Sequence, residues 1–156
     1  MSNSASYLGG IAGFNSSSGT IQNCYNVANV SGNTTITAIT NRVVYYGGLV
    51  GRSDSVNIKN CFSTMSATTT SGYAYSGTLV GYLSVAIPTA SATTQYNYYI
   101  NDNAVGYIPI SSSSVSNFAT KLTSNELLDY AIVLNATAEA TIFKTGLDYP
   151  QFVWEP

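Results

Sequence analysis

The sequence predicts an all-β protein: a right-handed parallel β-helix, or β-solenoid, of about three coils with a small C-terminal α/β cap. Three observations predict it. A glycine phrase recurs as Gly9-Gly10-Ile11-Ala12-Gly13, Gly47-Gly48-Leu49-Val50-Gly51 and Gly77-Thr78-Leu79-Val80-Gly81. A second phrase follows it as Ile21-Gln22-Asn23-Cys24-Tyr25, Ile58-Lys59-Asn60-Cys61-Phe62 and, in weaker form, Gln95-Tyr96-Asn97-Tyr98-Tyr99. The second phrase steps by 37 residues twice, whereas the glycine phrase steps by 38 and then 30. Length changes therefore fall between phrases, as in stacked units with fixed strands and variable loops.

Each glycine phrase reads as a short strand whose aliphatic residue enters a core. The flanking glycines permit tight bends and close approach of neighbouring backbone. The Ile-x-Asn-Cys-Tyr phrase alternates with period two, as expected of a strand with one buried face. A third short strand is expected at Val27 to Val30, closed by Ser31-Gly32, with Met65 to Thr70 and Ser71-Gly72 as its counterpart. Three strands and three bends make one coil. The repeats occupy residues 1–100, as units of about 7–38, 45–74 and 75–100.

Stacking at the strand spacing of about 4.7–4.9 Å puts like residues over like. Ile11, Leu49 and Leu79 are expected to form one internal ladder, and Ile21 and Ile58 another. Cys24, Cys61 and Tyr98 take a third position, and Asn23, Asn60 and Asn97 a fourth. Side-chain amides at solenoid bends bond from coil to coil, which gives these asparagines a structural role. The two cysteines would stack within disulfide range at Cα. Their parallel Cβ directions leave a gap wider than the roughly 3.8 Å a bridge prefers, so two reduced core thiols are expected.

Residues 101–156 are expected to cap the last open sheet edge, which otherwise invites aggregation. Thr123-Ser124-Asn125-Glu126 is a capping box that opens a short helix over about 124–135. Pro150 then fixes the entry into a final strand at about 151–155, with Phe152 and Trp154 on one face.

The paired phrases resemble the GLUG motif repeats of large bacterial surface and secreted proteins. The matching residues are Gly47 to Gly51 followed by Ile58 to Phe62, with counterparts from Gly9 and from Gly77. The third unit departs, since Thr78 replaces the second glycine, Tyr98 replaces Cys, and an insert runs from Ser84 to Thr94. Gly146-Leu147-Asp148-Tyr149-Pro150-Gln151-Phe152-Val153-Trp154 is similar to the Gly-Tyr-Pro-x-Leu-x-Trp ending common after such arrays. The resemblance implies a non-catalytic, adhesin-like module at the cell surface or outside the cell. It carries over no catalytic or ligand residues.

Composition narrows the functional classes. Only 8% of the 156 residues are charged and there is no His, against roughly 25% charged in an average soluble protein. A net charge of −2 with five dispersed basic residues gives no footprint for nucleic acid. No run of 18 apolar residues is present, so no membrane span is expected. No signal peptide is visible at Met1-Ser2-Asn3-Ser4, and the chain is read as a segment of a longer precursor with further repeats or domains. Glycoside hydrolysis needs two carboxylates about 5–10 Å apart. Asp54 is the sole acidic residue of the first 100. With no acid–base pair, no triad and no zinc spacing, neither an enzyme nor a cofactor or metal site is expected.

The candidate ligand-contact residues are aromatic: Tyr45, Tyr46, Tyr73 and Tyr75. One of Tyr45 and Tyr46 must face outward in a strand, and stacked outward tyrosines would suit sugar rings. The alternative is that they ladder against each other and cover loops. The threonine runs Thr34-Thr35-Ile36-Thr37 and Thr68-Thr69-Thr70 lack the Thr-x-Thr spacing on every coil that an ice-binding face needs. The expected function is adhesion or structural display towards a host or matrix glycan or protein. The alternative is a carbohydrate-binding module attached to an enzyme in a longer precursor.

Overall fold

The computed structural model describes residues 5–31, 43–66, 74–85, 87, 97–101, 104–107, 118–135 and 141–155. Tyr73, both threonine runs and most of the 84–94 insert lie outside them. The described chain is mostly β and its main sheets are parallel.

Three strands precede or open the glycine corner: β1 (Ala5–Gly9), β5 (Val43–Gly47) and β9 (Ala74–Gly77), side by side in that order. Their counterparts beyond the corner are β2 (Ala12–Asn15), β6 (Val50–Ser53), β10 (Val80–Leu83) and β12 (Val105–Tyr107). These four make a second parallel sheet. A third contains β4 (Tyr25–Asn26), β8 (Phe62–Ser63), β11 (Tyr98–Tyr99) and β13 (Thr120–Lys121). The pair β3 (Ile21–Gln22) and β7 (Ile58–Lys59) sits between them in the chain.

The register places Tyr7 beside Tyr45 and Tyr45 beside Tyr75, and likewise Gly9, Gly47 and Gly77. Ala12, Val50, Val80 and Val105 form a second row, and Phe14, Arg52, Tyr82 and Tyr107 a third. Leu49, Val50, Ile58, Cys61, Leu79, Val80 and Leu83 are wholly buried in the main core.

The glycines of the corner are explained by backbone contact. A Cβ on Gly51 would lie 2.4 Å from the Leu8 nitrogen, and one on Gly81 2.9 Å from the Tyr45 carbonyl carbon. The second sheet thus packs back on the first with no room for a side chain.

Several expectations are corrected. The Ile-x-Asn-Cys-Tyr phrase is not one strand. Asn23 and Asn60 adopt φ of 53° and 54° and break it into two, a left-handed conformation that Asn tolerates better than most residues. The glycine phrase is not one strand either: it bends at Gly10-Ile11, Gly48-Leu49 and Thr78-Leu79 between two strands, the earlier of which ends on its first glycine. Among the described residues each of the first two units therefore has four strands, and none at Val27 to Val30. There the chain turns, with the Asn26 side chain bonding both the carbonyl and the N–H of Ala28 at 2.8 and 3.0 Å.

The parallel sheets also run past residue 100, through β12 and β13. Ala104-Val105-Gly106-Tyr107 stands against Leu79-Val80-Gly81-Tyr82, with the Leu79 N–H bonded to the Ala104 carbonyl at 2.9 Å.

After these strands come α1 (Ser124–Asp129) and α2 (Ala131–Asn135), two short helices in place of one. Thr123 and Glu126 form the capping box, and Tyr130 ends α1. An antiparallel pair follows, β14 (Phe143–Lys144) with β15 (Gln151–Phe152). Leu127, Ala131, Leu134 and Phe143 pack with Phe62, Leu122 and Tyr98 in a second core, and Tyr25 and Phe152 adjoin it. Since Tyr25, Phe62 and Tyr98 are successive rows of the third sheet, the C-terminal segment buttresses the side of that sheet. Of the residues expected to cap the last edge, β12 and β13 do lie along it, paired with β10 and β11.

Candidate functional site

The most chemically furnished surface lies where the first and second sheets meet at the glycine corner. The rings of Tyr7, Tyr45 and Tyr75 stack in series, with centroids 5.6 and 5.4 Å apart and planes within 18°. Tyr45 also meets Tyr82 of the second sheet at 4.9 Å.

Arg52 sits in the next row. Its register neighbours are Phe14 and Tyr82, and its guanidinium lies over both rings at 5.5 and 5.3 Å, with Tyr7 at 5.4 Å. Arg52 donates through Nε and Nη2 to the two Asp54 oxygens at 2.8 and 3.2 Å, and through Nη1 to the Tyr7 hydroxyl at 3.1 Å. The Ser84 hydroxyl donates to Asp54 Oδ1 at 2.5 Å. The Arg52 bonds hold the Asp54 carboxyl below its ordinary value against partial burial, and the Ser84 bond adds to this. The result is a flat guanidinium held between aromatic rings, with its charge matched in place.

The sequence-selected aromatics separate here. Tyr45 and Tyr75 are half-buried members of the stacked row, whereas Tyr46 is only 8% exposed. Alternation in β5 turns Tyr46 away from the face that carries Tyr45, which removes it as a surface contact. Tyr73 lies outside the described residues. Arg52, Phe14, Tyr7 and Tyr82 were not singled out as site residues from sequence, and Asp54 was noted only as a lone carboxylate. A signal existed, because Phe14, Arg52 and Tyr82 each directly follow the last glycine of their phrase.

The expected ladders are placed as follows. Ile11, Leu49 and Leu79 are linked by backbone bonds, Ile11 N–H to Leu49 and Leu49 N–H to Leu79, each 2.9 Å. Leu49 and Leu79 are wholly buried, but Ile11 is 47% exposed because no described layer lies over it. Asn60 donates from Nδ2 to Asn23 Oδ1 at 2.5 Å.

Asn97 is out of step with that pair. Tyr98 pairs with Phe62, which puts Asn97 against Cys61, in the interior place the cysteines hold in the two layers before. Its Oδ1 accepts from the Cys61 N–H at 3.2 Å. Its Nδ2 donates to the Ile58 and Phe118 carbonyls at 2.6 and 3.3 Å. The shift of one residue turns Tyr98 outward to meet Tyr130, 4.6 Å away in a T-shaped contact. A tyrosine ring would overfill the cysteine position, while an asparagine satisfied on both edges can stay buried. Cys24 and Cys61 are both free thiols, the first half-buried and the second buried.

Among the described residues, no three His, Cys, Asp or Glu side chains group to hold a metal ion. No described helix is long and apolar enough to cross a membrane. The chain matches no protein-family model, no curated protein and no solved structure. What fold and site define together is a mostly β protein of layered parallel sheets, with an aromatic and guanidinium face at one corner.

Proposed function

We propose that the chain is part of a right-handed parallel β-helix of GLUG type, a non-catalytic module of a bacterial cell-surface or secreted protein. It serves adhesion or structural display outside the cell. The observation that carries this reading is the register, which sets Tyr7, Tyr45 and Tyr75 in one row and Gly9, Gly47 and Gly77 in another. A stack of this kind extends by one strand spacing per layer and keeps its side faces regular, as a stalk or display rod requires. The tyrosines use their ring faces on each other. What the row turns towards a partner is ring edges, beside the Arg52–Asp54 pair. The partner is a host or matrix glycan or protein, and further repeats or domains of the same precursor supply the rest of the rod.

One observation favours the second reading, a carbohydrate-binding module serving an attached enzyme. Phe14 is 52% exposed beside Arg52, and an open aromatic ring next to charged hydrogen-bonding groups can hold a sugar. The test is a screen of the folded domain on glycan and matrix-protein arrays, with Phe14→Ala and Tyr45→Ala variants alongside. Binding weakened by either substitution assigns recognition to this face. Silence on both arrays from folded protein removes adhesion and recognition by this segment and retains display alone.

A further inference from the structure

Cys24 and Cys61 each follow an asparagine in the left-handed conformation and precede a two-residue strand. They stand on adjacent layers at one position: Tyr25 pairs with Phe62, and the Phe62 N–H bonds to the Cys24 carbonyl at 3.2 Å. Neither cysteine lies within a strand ladder, so the pleat does not fix their Cβ directions as it would in a regular strand. The Cys61 sulfur is 3.0 Å from its own layer's Lys59 carbonyl and 3.9 Å from the Ile21 carbonyl of the layer above. It thus reaches the layer that carries Cys24. The Cys24 thiol bonds the Gln22 carbonyl at 3.1 Å. Burial divides the pair, since solvent reaches Cys24 but not Cys61.

We propose that Cys24 and Cys61 form a redox-active dithiol that closes into a disulfide between layers, with Cys24 as the attacking thiol and Cys61 as the resolving one. The oxidant is a low-molecular-weight disulfide. The Cys24 thiolate attacks one of its sulfurs, the sulfur–sulfur bond breaks, and one thiolate leaves while a mixed disulfide forms on Cys24. Cys61 then gives its proton to that thiolate and attacks the Cys24 sulfur, and the second small thiolate departs and takes from solvent the proton that Cys24 released on ionising. In balance, the protein dithiol loses two electrons and two protons, and one small disulfide becomes two thiols.

The acidities fit these roles. The Cys61 hydrogen bond brings the Cys24 thiol down to about 7 despite its partial burial, and burial pushes the Cys61 thiol well up. An attacking thiol works best with its pKa near the ambient pH. The other ionisable side chains of the flanking strands are Lys59, which is exposed, and Tyr25, which turns away to bond Glu155. Ile21, Ile58 and Phe118 of the same core cluster are apolar, and the buried neighbour of Cys61 in the next layer is the uncharged amide of Asn97.

The experiment treats reduced, folded protein with oxidised glutathione at neutral pH, quenches with acid, and reads intact mass and peptide map. The expected product has lost two hydrogens, carries no glutathione, and yields a Cys24–Cys61 cross-linked peptide. Cys61→Ser is expected to stop at one glutathione on Cys24, and Cys24→Ser to stay unmodified while folded. A wild-type protein that keeps glutathione on Cys24 overturns the resolving role. Modification of Cys61 in Cys24→Ser at the wild-type rate overturns the attacking role. Native protein that does not react, while the denatured chain does, overturns both, and this last comparison needs no variant.

Discussion

The phenol of Tyr25 donates a hydrogen bond to the carboxylate of Glu155, 130 positions further along the chain. Its ring stacks on Phe62 at 4.9 Å and 4°, and meets Phe152 at 4.8 Å. The earliest described layer of the third sheet is therefore tied to the last residues by a ring and a hydroxyl. Tyr25→Ala should cost about 2–3 kcal/mol, less than the roughly 3–5 kcal/mol of fully buried aromatic truncations because the ring is half-buried. Tyr25→Phe keeps the stacking and should cost about 1 kcal/mol. Urea unfolding of the three proteins measures both. Equal midpoints would remove the brace as a source of stability.

Asn23 and Asn97 belong to matching phrases yet do different work, and substitution should separate them. Asn23 holds a left-handed backbone and accepts from Asn60, so Asn23→Ala should cost about 1–2 kcal/mol, while Asn23→Gly recovers the backbone part and keeps only the loss of that bond, about 1 kcal/mol. Asn97→Ala leaves the Cys61 N–H and the Ile58 and Phe118 carbonyls without this partner in the core. At about 1–3 kcal/mol for each buried group left unpaired, its cost should exceed that of Asn23→Ala, and Asn97→Gly should give no relief. Thermal melts of the four variants decide it. Rescue of position 97 by glycine would mean that backbone conformation matters there and the amide does not.

That contrast marks how far the sequence could be read. Recurrence of Gly-Gly-x-x-Gly disclosed the layers, and the Thr123–Glu126 pair disclosed a helix start, because both are local backbone requirements that only a few residue types meet. The one-residue shift at Asn97 was not legible. It depends on Tyr98 finding Tyr130 across the chain, a tertiary contact with no local signature. The left-handed turns at Asn23 and Asn60 were hidden inside a pattern that also alternates like a strand. The fourth row at Ala104-Val105-Gly106-Tyr107 repeats Leu79 to Tyr82, but it lacks the leading glycine pair and so passed for part of the cap. The Arg52 site escaped because attention to adjacent tyrosines selects neighbours in sequence. Stacked neighbours, which share a register, are what the fold brings together.

Gly51 tests the backbone contact between the first two sheets. Its absent Cβ would meet the Leu8 nitrogen at 2.4 Å and the Tyr7 carbonyl carbon at 2.6 Å, both main-chain atoms that cannot yield cheaply. At Gly13 the nearest atom is the Tyr7 carbonyl oxygen at 3.3 Å. Gly51→Ala should thus lower the melting temperature strongly or abolish folding, and Gly13→Ala should be tolerated. Leu49→Asp and Ile11→Asp form a parallel pair: the first buries a charge in the core, the second places it at a half-exposed position. Circular dichroism melts showing Leu49→Asp as stable as Ile11→Asp would refute the layer order.

The Arg52–Asp54 pair gives the fold an acid dependence. Because the folded-state value of Asp54 is depressed from 3.8, its contribution to stability is fully present above that unfolded value. It is lost as pH falls through the lower folded value. Both side chains are partly exposed, at 31% and 25%, so solvent screening limits the contribution to about 1 kcal/mol. Asp54→Asn should lower stability at neutral pH by about that amount and flatten this part of the acid limb. The measurement is the unfolding free energy at intervals from neutral pH down to below the ordinary aspartate range, for both proteins. Parallel curves across that range would show that the carboxylate adds no net stability and that Arg52 is held by its aromatic neighbours alone.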